Sequence, residues 1–83
     1  MFVYKTKGTC STEIDFDIEG DRIKEVHFQR GCDGNLKGIS ALIAGMKVED
    51  AIKKLEGIDC RGKGTSCPDQ LAKALKEWQA GTL

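Results

Sequence analysis

Residues 13–19 alternate strictly, with Ile14, Phe16 and Ile18 set between Glu13, Asp15, Asp17 and Glu19. A period of two gives one apolar and one acidic face, the pattern of a half-buried strand. Gly20-Asp21 reads as a turn, and Ile23, Val26 and Phe28 carry a second strand that completes a hairpin. The step of three from Ile23 to Val26 breaks the alternation and predicts a bulge near Lys24 and Glu25. Residues 2–6, ended by Gly8, predict a third strand, so an antiparallel sheet with one wet face is expected.

From Asn35 the period lengthens to that of a helix. Leu36, Ile39, Leu42 and Ile43 are expected on one stripe, with Gly45 as the stop. Val48, Ala51, Ile52 and Leu55 form the apolar side of a second helix, which carries the i,i+4 pairs Glu49/Lys53 and Asp50/Lys54 and ends at Gly57. A third helix is expected from Pro68, whose ring suits a first turn. Asp69 stands there where the helix dipole favours an acid, and Leu71, Leu75 and Trp78 make the buried stripe. Strands first and helices afterwards predict the α+β class: a three-stranded antiparallel sheet followed by three helices packed on one face. No repeat, low-complexity tract or linker interrupts the chain, so 1–83 reads as a single domain.

Composition adds a tension to that picture. A domain of this length buries only about 60–65% of its unfolded surface, and small domains often supplement so thin a core with a metal or cross-links. Four cysteines in 83 residues are well above average usage. Thirteen basic residues balance thirteen acidic ones, so no global field gathers nucleic acid or anionic lipid. Residues 1–10 hold no apolar run of seven, which predicts neither a secretory signal nor a membrane span and places the chain in the cytoplasm. Thiols are kept reduced there, so the cysteines read first as metal ligands or reactive groups and only second as disulfides.

Cys10, Cys32, Cys60 and Cys67 are separated by twenty-one, twenty-seven and six residues, and no C-x-x-C pair occurs. Placement says more than spacing. Each cysteine falls in a turn or at an element end, and none occupies a periodic apolar position, where a small buried hydrophobe would stand. Thiolates are stabilised by a helix amino terminus and by nearby cations. Cys67 has the helix start and, close in sequence, Arg61 and Lys63; Arg30 flanks Cys32 in the same way. Four thiolates suit tetrahedral zinc or an iron-sulfur cluster, because soft sulfur ligands select those metals. The same residues also permit a redox protein in which Cys67 attacks and Cys60 resolves.

The segment 57–64 nearly reads as a phosphate-binding P-loop, but Gly64 stands where a magnesium-binding hydroxyl is needed and a helix precedes it in place of a strand. A plain anion site remains, in which Arg61, Lys63, Gly64 and Thr65 receive a nucleotide or flavin near the helix start. His27 is expected on the wet sheet face, as is the acidic row of Asp15, Asp17 and Glu19, and Trp78 is expected in the core. No paired carboxylates, Ser/His/Asp set or aromatic platform points to hydrolysis or nucleic-acid stacking.

Two resemblances bear on these readings. Thr65-Ser66-Cys67-Pro68-Asp69 with the four-cysteine layout resembles the TSCPD family over essentially the whole chain. The resemblance implies a metal held by Cys10, Cys32, Cys60 and Cys67, with Pro68 and Asp69 part of the pattern. That family also occurs as a domain on ribonucleotide reductases, so a ribonucleotide reductase or a metal-delivery protein is the implied partner. A reductase's catalytic barrel is far larger than this chain, and a complete reductase is not expected. The second resemblance, from Asp21 onward, is to iron-sulfur assembly scaffolds: Val26-His27-Phe28, the Gly31-Cys32 turn, Gly45-Met46-Lys47, Glu49-Asp50-Ala51 and Cys67 at a helix start. It implies a scaffold-like fold with cluster-holding roles for Cys32, Cys60 and Cys67.

Overall fold

The computed structural model describes residues 2–9, 11–30, 33–58, 62 and 64–82. Three strands, β1 (Phe2–Lys5), β2 (Glu13–Glu19) and β3 (Arg22–Gln29), precede three helices, α1 (Asp33–Ile43), α2 (Val48–Leu55) and α3 (Cys67–Ala80). The sheet is antiparallel in the order β1-β2-β3, which is the α+β arrangement that the change of period predicts.

Cross-strand partners share a face. Phe2 stands opposite Phe16, Tyr4 opposite Ile14, Phe16 opposite Val26 and Ile18 opposite Ile23, so one face collects the apolar side chains of all three strands. Asp17 pairs with Glu25 and Ile18 with Ile23, leaving Lys24 unmatched between them. This is the expected bulge. Its extra residue lets Ile23 and Val26 face the same side although they are three apart.

The core lies between that face and the helices, where Ile14, Phe16, Ala51, Leu71, Ala72, Ala74 and Leu75 have no exposed surface. All four expected positions of α2 are buried. Trp78 is half-buried and meets the Phe2 ring edge-on at 6.4 Å between centroids. Three expectations need correction. Leu42 is 79% exposed: the buried stripe of α1 is Leu36, Ile39 and Ile43, and at 3.6 residues per turn Leu42 is rotated about 100° away from Ile43. Helix α1 begins at Asp33, ahead of Asn35, and α3 begins at Cys67 with Pro68 inside its first turn.

The other sheet face is polar, with Lys5, Lys24, His27 and Gln29 exposed and Asp15 and Asp17 half-buried. Asp15 accepts a hydrogen bond from Gln29 Nε2 at 3.0 Å. A hydrogen bond shared with Asp15 raises the Glu13 pKa above its ordinary value. His27 lies 3.6 Å from Glu25 on this wet face, as expected. Among the described residues, no helix is long and apolar enough to cross a membrane.

The loop 44–47 runs beside the start of β3. The Ile23 amide donates to Met46 O, the Gly45 amide to Ile23 O and the Val48 amide to Asp21 O, at 2.7–2.9 Å. Gly45 turns here with φ +88°, a backbone conformation open to glycine without strain. Arg22 Nη1 adds one side-chain bond, to Gly45 O at 2.8 Å.

Candidate functional site

Antiparallel pairing brings the end of β1, the start of β2 and the end of β3 to the edge of the sheet opposite that loop, where Thr12 N donates to Gln29 O at 2.9 Å. Helix α1 leaves β3 from this edge, and the two border a cleft of about 570 Å³ lined by Phe28, Arg30, Leu36 and Lys37 among others. Helix α3 starts at the same edge, because Lys7 N of the β1–β2 loop donates to Gln70 Oε1 at 3.2 Å.

The first turn of α3 is built from side-chain bonds. Ser66 has extended backbone and caps the helix, its hydroxyl accepting from Asp69 N at 3.1 Å. Pro68 sits where a backbone N–H has no partner inside the helix. Asp69 is only 4% exposed. Its carboxylate accepts from the Thr65 hydroxyl at 2.6 Å and from the Gly57 amide at 2.8 Å, with Lys73 Nζ 3.5 Å away. Burial works to raise the Asp69 pKa; the Thr65 hydroxyl, the Gly57 amide and Lys73 outweigh it and hold the carboxyl below its ordinary value. Gln70 Nε2 donates in turn to Thr65 Oγ1 at 2.9 Å.

Cys67, the first helical residue, carries a free, half-buried thiol. Its Sγ is 3.1 Å from Ser11 Oγ, and Ser11 is 2% exposed. The sulfur thus lies at a helix amino terminus.

The model of the TSCPD domain family matches residues 2–79. The chain belongs to that family. No curated protein and no solved structure matches it, so the likeness to iron-sulfur scaffolds stands on sequence motifs alone. Within this TSCPD domain the signature pentapeptide divides its labour. Thr65, Ser66, Pro68 and Asp69 build and anchor the helix start, and Cys67 presents a soft donor atom there.

Of the expected metal ligands, Cys67 is described, whereas Cys10, Cys32 and Cys60 lie outside the described residues, as do Arg61 and Lys63 of the expected anion loop. Gly64 is exposed. Thr65 is buried, and its hydroxyl already donates to Asp69 and accepts from Gln70. Among the described residues, no group of three or more His, Cys, Asp or Glu is arranged to hold a metal. The flanks of the other cysteines are nevertheless informative. Cys10 adjoins Ser11, which touches Cys67. Cys32 follows Arg30, just after β3, and precedes α1 in the sequence. Cys60 follows Gly57 and Ile58, and Gly57 is tied to Asp69.

Sequence reasoning missed Ser11, Gly57 and Gln70 as partners of the signature, and read Asp69 as a dipole residue and part of the family pattern without its anchoring role. The S-x-x-D spacing of Ser66 and Asp69 signals the cap. Nothing local signals Ser11, which meets Cys67 across 56 positions.

Proposed function

We propose that this TSCPD domain is a metal-binding accessory module whose cysteine thiolates hold zinc or an iron-sulfur cluster, serving nucleotide reduction or metal delivery. One observation carries the reading: Ser11, next to Cys10, touches the Cys67 sulfur, and Gly57, three residues before Cys60, is tied to Asp69 of the same helix start. Cys67 would ligate there, joined by Cys10, Cys32 and Cys60, and two helix amino termini would offset the negative charge of several thiolates. The donor set fits the metal in chemistry, because soft sulfur favours zinc and iron-sulfur clusters. A bound metal would also cross-link segments far apart in sequence and supplement a small core. A ribonucleotide reductase or a metal-delivery protein is the partner class, on the family resemblance.

Purification without oxygen, followed by metal and acid-labile sulfide analysis, tests this. Close to one equivalent of zinc or one cluster per chain is expected; less than about a tenth of an equivalent of any metal, with all thiols titratable, sinks the idea.

A second reading is a thiol redox protein in which Cys67 attacks and Cys60 resolves. It is favoured by the half-buried Cys67 thiol at a helix start. Mild oxidation should then yield a Cys60–Cys67 disulfide in peptide maps; mixed or absent pairing counts against it. A third, a nucleotide or flavin module, draws support from the apolar and cationic lining of the β3–α1 cleft. Calorimetry that shows no heat with nucleotides or flavins removes it.

A further inference from the structure

We infer that Ser11 is a positioning residue for the metal, the hydrogen-bond donor that holds the Cys67 sulfur and tunes it as a ligand. The inference rests on the metal-thiolate reading and adds to it a residue outside the signature.

Ser11 is buried, with its Oγ 3.1 Å from Cys67 Sγ. Its backbone is clamped from two sides, since the Thr6 hydroxyl donates to Ser11 O at 2.5 Å and the Thr9 hydroxyl donates to the same oxygen at 3.1 Å. Both lone pairs of that carbonyl are therefore engaged, and the side chain is held against the sulfur. A thiol and a hydroxyl can each donate to the other. A metal-bound thiolate has no proton and can only accept. Binding a divalent ion therefore forms the metal–sulfur bond, releases the Cys67 proton to solvent and turns the Ser11 hydroxyl toward the sulfur. Outer-shell donors of this kind orient a ligand and adjust its basicity.

Thr9 gives the arrangement a direction. Its Oγ1 is 3.3 Å from Ser11 Oγ. Either hydroxyl of that pair could donate; with the Thr9 proton given to Ser11 O, Thr9 Oγ1 accepts and competes with the sulfur for the Ser11 proton. Removing the Thr9 hydroxyl should leave that proton to the sulfur alone. The two substitutions thus act on the sulfur with opposite sign, which burial or packing by itself does not predict.

The test adds Co²⁺ or Zn²⁺ to the reduced full chain without oxygen, reading affinity by chelator competition and the cobalt–thiolate charge-transfer band by absorption. Ser11→Ala is expected to weaken binding about tenfold and to move the band to lower energy. Thr9→Val, which keeps the side-chain shape, is expected to move the band to higher energy. A parent chain that binds neither ion overturns the metal reading and this inference together. A parent that binds, with affinity and band unchanged in Ser11→Ala, overturns the role of Ser11 alone. Weaker binding with an unmoved band is the result of a merely structural serine and overturns it as well. Where Ser11→Ala does not fold, Thr9→Val decides, and a band that stays or moves to lower energy counts against the inference.

Discussion

Around the β2–β3 turn the chain closes on itself through main-chain groups: Ile23 with Met46, Gly45 with Ile23, and Val48 with Asp21. At the opposite edge of the sheet side chains are added to the main-chain bond of Thr12 to Gln29, with Thr65, Asp69 and Gln70 joining the β1–β2 loop, the end of α2 and the start of α3. Main-chain closure asks little of residue identity beyond glycine at the positive φ of positions 20 and 45. Side-chain closure depends on particular donors and acceptors, because a buried polar group left without its partner is costly. The edge built by side chains also holds Cys67 and its partner Ser11. The residues of the pentapeptide therefore serve the fold directly, through the cap, the buried carboxylate and the Thr65 hydroxyl.

Substitutions at the two ends test that contrast. Asp69→Ala should have the largest effect, because it strands the Thr65 hydroxyl and the Gly57 amide; a loss of about 3 kcal/mol in urea unfolding is expected, and on the metal-binding proposal a loss of metal affinity with it. A loss below about 1 kcal/mol means the side-chain edge is no more demanding than the other. The same carboxylate gives a pH signature. Its folded pKa lies below the ordinary 3.8, so its contribution is present above that value and disappears as pH falls through the folded value. Asp69→Asn should therefore lose less stability than the parent between neutral pH and the acid transition, and parallel curves would contradict this.

Ser66→Ala removes the cap of α3 and is expected to lower stability by about 1 kcal/mol, read as a lower urea midpoint with an unchanged slope. Arg22→Ala is the counterpart at the hairpin end. Its exposed guanidinium adds one bond to a loop already closed by main chain, so a change within about 0.5 kcal/mol and an unaltered metal content are expected. If Arg22→Ala matches Ser66→Ala, the two ends do not differ in kind.

The order of elements, the hydrophobic faces of β2, β3, α2 and α3, and the bulge at Lys24 were readable along the chain. Each depends on periodicity, and periodicity is a local property. Leu42 was misassigned for the same reason. Two adjacent apolar residues at the end of a short helix satisfy a loose stripe equally well, and only the packing of α1 against β3 selects Ile43. At the site, Cys67 stood out because a Cys before Pro at a helix start is a local pattern. Its partner did not, since neither Ser11 nor its neighbours form a recognisable motif.

What the sequence by itself determined is therefore the set of elements, their inward faces and the place of Cys67 at a helix amino terminus, because backbone propensity and side-chain alternation act over a few residues. Only the tertiary structure decided that Asp69 is a buried anchor rather than a surface charge, that Thr65 has its hydroxyl engaged, and that Ser11 meets the sulfur. Those contacts join residues 4 to 56 positions apart, and most of them exist only after the sheet and helices have packed.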